Sequence, residues 1–406
     1  MTRGGGLTQR DAGEPLPGQL IDRVRHRLAA MGAAPSPSAV ATALRAETGG
    51  VLADLQVLGA LRQLQRELVG AGPLQPLLAD PATTDVLVSA PDQVWVEQSG
   101  QLRRTDVRFP DAEAVRRLAQ RLALAAGRRL DDASPYVDAP LPGGVRLHAV
   151  LPPIAPDCTC ISLRVLRPAT YGLDALQKAG TVAPQAATLL RAIIAARLAF
   201  LIVGGTGSGK TTLLAALLGC VPPGERIICV EEAPELAPQH PHVVRLATRQ
   251  PNIEGAGAVT LRDLVRQALR MRPDRLVVGE VRGAEVCDLL AALNTGHQGG
   301  AGTLHANCPL EVPARLEALA ALGGMPRPAL HSQLAAAVQV VLHVQRREGS
   351  RELAAVGVLH RADDLVQVLP AWQHGQWGPG HPQLQQLLER AGTAGAAGDH
   401  RGGVAC

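Results

Sequence analysis

Gly204-Gly205-Thr206-Gly207-Ser208-Gly209-Lys210-Thr211 follows the apolar run 198–203 and leads into the helical pattern 211–219. Glycines at this spacing let consecutive backbone N–H groups converge on phosphate oxygens. The helix that follows presents its positive end, and the lysine brings a full charge to the outer phosphates. The stretch fills every fixed position of a phosphate-binding P-loop and points to a nucleoside triphosphate, with Lys210, Thr211 and Thr212 at the start of the helix and Thr211 holding Mg²⁺. Composition argues against coincidence. The chain has 38 arginines but only two lysines, Lys178 and Lys210.

A P-loop binds, but hydrolysis also needs carboxylates that organise metal and water. The stretch Arg226-Ile227-Ile228-Cys229-Val230-Glu231-Glu232 puts a carboxylate pair at the end of an apolar strand, where α/β sheets place ligand-binding residues. Arg275-Leu276-Val277-Val278-Gly279-Glu280-Val281-Arg282 repeats the arrangement, with Glu280 70 residues beyond Lys210. Either alone reads as a solvated strand end. Two in succession downstream of one P-loop read as its catalytic half. A third cluster, residues 295–307, combines His297 and His305 with four glycines and Asn307. By composition it suits either a phosphate-sensing loop or a structural turn.

Elements must carry these residues to one place. Strand and helix patterns alternate over 200–203, 211–219, 226–230, 261–271, 275–278 and 285–293, which predicts a parallel α/β core. Helical patterns at 312–322 and 329–337 then run into apolar stretches at 338–344 and 353–359, and the Gly/Ala-rich end from Gly392 is expected to be disordered. Upstream, amphipathic patterns at 19–31, 38–47 and 51–69 predict a helical segment. A meander of strands at 85–89, 93–97 and 104–109, turning at Gly100, opens an α+β domain. Asp111 is placed to cap a helix over 112–126 with Val115, Leu118, Leu122 and Leu124 among its apolar positions, and 145–151 with 160–166 read as paired strands. The Pro/Gly-bearing stretch 168–172 is the hinge before the P-loop half. The expected units are 1–70, 71–167, a linker at 168–176, an ATPase domain at 177–365 and a tail at 366–406.

Composition narrows the classes. A net charge of +4 is too small to imply nucleic acid, and three tryptophans (Trp95, Trp372 and Trp377) without clustering offer no base-stacking platform. Seven scattered cysteines with no C-x-x-C pair support neither a disulfide framework nor a zinc ribbon. The polar, Gly-rich start lacks an apolar signal segment, so export of the chain is not expected. Arg191 and Arg197 interrupt the most apolar window, which reads as helix then strand and not as a membrane span.

Four motifs occur here in the order found in the traffic ATPases of type II and type IV secretion and pilus assembly. They are the P-loop; the acidic box Glu231–Leu236; the atypical Walker B segment around Gly279-Glu280-Val281-Arg282; and a histidine box ending Thr303-Leu304-His305-Ala306-Asn307. The chain resembles that family from about residue 72 to 352. Gly72-Pro73-Leu74, Leu77-Leu78, Asp80, Asp85-Val86-Leu87-Val88, Val137-Asp138-Ala139 and Gly144-Val145-Arg146 resemble the N-terminal domain of its tight-adherence (Flp-type) pilus branch.

The resemblance implies a RecA-like P-loop ATPase core of α/β class behind an N-terminal α+β domain, with ATP and Mg²⁺ as cofactors. Residues Gly205, Thr206, Gly207, Ser208, Gly209, Lys210, Thr211 and Thr212 bind phosphates, Thr211 and Glu280 serve the metal, Glu231 orients or activates water, and His305 links nucleotide state to movement. Arg146, Arg164 and Arg167 match arginines that the family's N-terminal domain lends to the nucleotide; the alternative is that they are ordinary surface arginines. Also implied are a cytoplasmic homo-oligomer, a hexameric ring beneath an integral-membrane platform protein, acting indirectly on a pilin or secreted protein, without direct contact to nucleic acid. A DNA-translocating ring of conjugation or competence and a slow regulatory scaffold are the alternatives. The chain departs from the family at Glu232, where Asp is usual, at Pro140, where Arg is common, and at Gly143, where Asp is common.

Overall fold

The computed structural model describes residues 23–24, 27, 37–48, 70–166, 170–252, 254–296, 298–347 and 350–398. The expected helix at 51–69, most of that at 19–31, and Arg167, Pro168 and His297 lie outside the described residues. The expected helix at 38–47 is Pro37–Thr48. By contacts the chain divides into two units, Met1–Leu166 and Arg167–Cys406.

The first unit holds a six-stranded antiparallel sheet. Its strands are β1 (Thr83–Ala90), β2 (Gln93–Gln98), β3 (Gln101–Arg104), β4 (Tyr136–Leu141), β5 (Val145–Val150) and β6 (Cys160–Val165), in the order β3-β2-β1-β6-β5-β4. Alternation sets its buried face: Val86, Val88, Val94, Val96, Leu147, Ala149, Ile161 and Leu163 form one core with Val115, Leu118 and Leu122. The latter three come from the helix Ala112–Ala125, whose first turn is capped by Asp111 accepting from the Ala114 N–H at 2.7 Å. Two details differ from expectation. Leu124 is exposed, because its turn of the helix points away from the stripe at 115, 118 and 122. The third strand starts directly after the Ser99-Gly100 turn, so Thr105–Phe109 leaves the sheet, with the Thr105 N–H and hydroxyl both on the Val94 carbonyl. The edge strand β4 tolerates Pro140 because an edge leaves one row of backbone groups outside the ladder.

The second unit is built on a nine-stranded mixed sheet. Its strands are β7 (Phe200–Val203), β8 (Ile227–Glu231), β9 (Val243–Ala247), β10 (Arg275–Val281), β11 (Ala301–Leu304), β12 (Val340–Arg347), β13 (Ser350–Ala362), β14 (Leu365–Gln373) and β15 (Gln376–Trp377), in the order β15-β14-β13-β12-β7-β11-β10-β8-β9. The six from β12 to β9 are parallel, as the alternating pattern predicts, and β12 to β15 continue as an antiparallel meander. Helices cover both faces, which is why β7, β8 and β11 are buried throughout. Helices Pro184–Ala195 and Lys210–Leu218 pack on one side; Leu261–Ala268, Glu285–Asn294, Val312–Leu322 and Arg327–Ala337 pack on the other.

Two expectations are corrected in this unit. Within the cluster at 295–307, Ala301–Leu304 is not loop but the central strand β11. Its Gly302 is enclosed by Leu201, Val278 and Val281 of the neighbouring strands. The tail expected from residue 366 instead extends the sheet: Val366, Val368 and Trp372 of β14 are buried, and the helix His381–Gly398 brings Leu384 into the core.

Candidate functional site

Parallel strands bring their carboxyl ends to one edge, and in this sheet β7, β8, β10 and β11 are neighbours there. The P-loop leaves β7 after Val203, Glu231 ends β8, Glu280 is the penultimate residue of β10, and His305 follows β11 directly. Val203 pairs with Leu304 and Val281 with Leu304, so the register itself sets His305 between the P-loop and Glu280.

Gly209 is the residue before the helix Lys210–Leu218 and adopts φ +100°, a conformation that a side chain would strain. No side chain caps the first turn, which leaves its backbone N–H groups for an anion. The Lys210 ammonium is buried and donates to the carbonyls of Gly204 (3.0 Å) and Gly205 (2.9 Å), with His305 Nε2 3.5 Å away. Burial lowers the Lys210 pKa from its ordinary value, while Glu280 acts to raise it.

His305 Nε2 lies 2.7 Å from Glu280 Oε1, within ion-pair distance but outside hydrogen-bond geometry, so that buried oxygen has no hydrogen-bond partner among the described residues. Burial first, then the charge of Lys210, lowers the His305 pKa, so the ring is neutral near pH 7. On its other oxygen, Glu280 accepts from Arg282 Nη2 at 2.6 Å, and Arg282 Nη1 donates to Glu232 at 3.1 Å. Burial pushes Glu280 upward, but Arg282, His305 and Lys210 together outweigh it and hold the carboxyl below its ordinary value. Glu280 thus sits between His305 and Arg282, and Arg282 carries the chain on to Glu232, with Lys210 alongside.

Glu231 has a different environment. It is 3% exposed, and its Oε1 accepts from the backbone N–H groups of Glu235 (3.1 Å) and Leu236 (2.9 Å). Its Oε2 has no hydrogen-bond partner among the described residues. Burial dominates those two bonds and raises its pKa to about 7. A carboxylate with one free oxygen and a pKa near the operating pH is suited to accept a proton from water.

The Type II/IV secretion system protein family matches residues 67–356. The chain belongs to that family. A relative in Mycobacterium tuberculosis (strain H37Rv), Rv3659c, carries the provisional name of a conjugal transfer protein. It is 66% identical over 329 residues, covering 79% of this chain and 94% of the relative. The type IV secretion system protein PtlH of Bordetella pertussis is 31% identical over 306 residues, 68% of this chain and 89% of that protein. Among solved structures, the pilus retraction motor PilT with bound ADP aligns over 79% of this chain and 88% of its own, at 18% identity and a TM-score of 0.51, a likeness of fold.

For this secretion-family P-loop NTPase, the arginines expected from the N-terminal unit have partners of their own. Arg146 and Arg164 are opposite each other on β5 and β6. Arg146 donates to both oxygens of Asp138 at 2.8 and 2.5 Å, and Arg164 to Asp85 at 3.1 Å. Arg167 lies outside the described residues. Sequence reasoning missed the bridging role of Arg282, although alternation along a strand puts residues two apart on the same face and so pairs it with Glu280. It also missed Thr303, whose hydroxyl donates to the Gly279 carbonyl at 2.6 Å and ties β11 to β10.

Gly279 makes a sharp test of this packing. A Cβ there would lie 2.7 Å from Glu231 Cγ and 3.3 Å from its Oε1, inside contact distance of a side chain held by two backbone bonds. Gly279→Ala is expected to cost about 1–3 kcal/mol of stability through overpacking and to displace Glu231, so calorimetry should show a lower melting temperature. An unchanged melting temperature would contradict this placement of Glu231.

Proposed function

We propose that this secretion-family ATPase is a Mg²⁺-dependent motor that works as a hexameric ring on the inner face of the cell membrane, beneath an integral-membrane platform protein. Its hydrolysis of ATP drives pilus assembly or protein secretion, with the tight-adherence branch as the pattern that the N-terminal unit resembles. The observation that carries the reading is the convergence of Lys210, His305 and Glu280 at one sheet edge, beside a Glu231 with a raised pKa.

The side chains fit a metal–nucleotide group. Ser208 Oγ in the P-loop and Glu231 Oε2 are buried polar atoms without partners among the described residues, and Lys210 is a buried cation. Among the described residues no three His, Cys, Asp or Glu side chains converge on a metal by themselves. That suits Mg²⁺, which is commonly held by one or two protein groups together with phosphate oxygens, here Thr211 and Glu280. Bound ATP with Mg²⁺ would supply the transferable phosphoryl group and neutralise charge that develops on it.

The geometry supports the following part for the protein's own residues. The uncapped N–H groups of the helix at 210–218 and the Lys210 ammonium hold phosphate. Glu231 takes a proton at Oε2 from an attacking water while its Oε1 stays fixed by Glu235 and Leu236. His305 exchanges the proton on Nε2 between contact with Glu280 and contact with phosphate, and so reports nucleotide state to β11 and to the segment beyond it. The hinge reading at 168–172 supplies the movement that such a signal would drive.

His305→Ala is therefore expected to bind ATP with near-normal affinity and to keep its melting temperature within a few degrees. Export or piliation in cells should fall by more than the loss of turnover accounts for. If stability, turnover and export instead decline in proportion, His305 is a packing residue and the coupling role fails.

A second reading, DNA transfer, is favoured by the name of the relative that is 66% identical. Against it stand the small net charge and the lack of an aromatic cluster in the sequence.

A further inference from the structure

The β12–β13 hairpin runs alongside β7, with His343 of β12 opposite Val203, and so the end at which Arg347 pairs with Ser350 arrives next to the P-loop. At that end Arg346 is the direct register partner of Arg351, and Arg347 that of Ser350. Directly opposed residues share a face of the sheet, and like charges so placed repel each other. Arg351 Nε donates to the Gly207 carbonyl at 3.1 Å, and its Cδ lies 3.1 Å from where a Cβ on Gly209 would stand. Its stem thus lies on the P-loop, and Arg346 shares that face.

Arg282, which also borders the site, is answered by Glu280 and Glu232. Arg346 and the Nη atoms of Arg351 have no hydrogen bond or ion pair among the described residues. The nearby acid Glu352 accepts instead from Gln345 at 2.6 Å. Two opposed cations without a counter-charge, one of them seated on a phosphate-binding loop, make a pair that an anion would relieve.

We propose that Arg351, seconded by Arg346, binds the polyphosphate of the nucleotide from within the ATPase unit, supplying cationic contacts of the kind expected from the N-terminal arginines. The proposal rests on the P-loop being the nucleotide site. It adds that Lys210 approaches the phosphates from inside the loop and the hairpin arginines approach from its rim.

The test uses the full chain and measures Mg-ADP affinity by calorimetry at two salt concentrations, with the melting temperature of each nucleotide-free variant recorded beside it. Arg351→Ala is expected to weaken Mg-ADP about 10-fold and Arg346→Ala about 3-fold, with Arg351→Lys recovering part of the loss. The salt dependence should be shallower in the double variant, and the nucleotide-free melting temperature of Arg346→Ala should be unchanged or higher, since a repulsion is removed. A double variant that binds Mg-ADP within twofold of wild type would overturn the proposal. So would losses of affinity that merely follow losses of stability. Lys210→Ala run in parallel separates the two claims: if it too binds normally, the P-loop reading itself fails, whereas Lys210-dependent binding that ignores Arg351 sinks the hairpin alone.

Discussion

Glu231→Gln is expected to lose ATP turnover by about 10²-fold or more and, at pH 8, to be more stable than the wild type. Both effects come from one environment. Removing the proton acceptor removes an interaction that matters in the transition state, so kcat falls while nucleotide affinity holds. The amide oxygen still accepts from the N–H groups of Glu235 and Leu236, so the local turn is kept. Stability moves the other way because the native state holds this carboxyl at about 7 against 4.5 for the free group. A raised acid pKa means the native protein binds more protons than the unfolded chain between pH 4.5 and 7, and stability therefore falls as pH rises through that window. Above it, a charged and buried Glu231 costs on the order of 1–3 kcal/mol, which the amide does not. Melting curves of the two proteins should thus separate by a few degrees at pH 8 and converge near pH 4.5. The wild-type rate should rise with pH through one ionisation near 7 that the variant lacks. A variant that is less stable at pH 8, or that turns over normally, would remove Glu231 from this role.

Lys210→Ala is expected to reduce turnover to background and to weaken ATP binding by at least 10-fold, since Lys210 is the only charge the P-loop itself carries. The change has a second readout that requires no nucleotide. The charge of Lys210 lowers the pKa of His305, while Glu280 raises it. Without the ammonium, His305 should titrate at higher pH and stay closer to Glu280, which imidazole resonances followed by NMR across pH 5–8 would record. An unmoved His305 titration would mean that Lys210 and His305 do not share a site in solution.

Much of this site is legible in the order of residues alone. The P-loop carries its own punctuation, and the ends of β8 and β10 announce themselves because apolar runs stop abruptly at Glu231 and Glu280. Strand β11 hides for a physical reason. Central strands usually advertise themselves by branched side chains, but β11 carries Ala301, Gly302 and Thr303 before Leu304, and that composition reads as a loop. Strand β4 hides behind Pro140, which an edge position allows. The helix His381–Gly398 packs Leu384 into a core that local sequence does not display. Charge partners are the least legible of all. Arginines are so common here that only contact distances separate Arg282, bridging two glutamates, from Arg351, lying on the P-loop.

The most direct measurement of the central claim is phosphate release by the purified full chain with ATP, with and without Mg²⁺, and with and without single- and double-stranded DNA, beside the Glu280→Gln variant. The account predicts hydrolysis that requires Mg²⁺, is indifferent to DNA, and falls by about 10²-fold in the variant as a metal-serving carboxylate is lost. Turnover that depends on DNA, or that persists undiminished in Glu280→Gln, would contradict it.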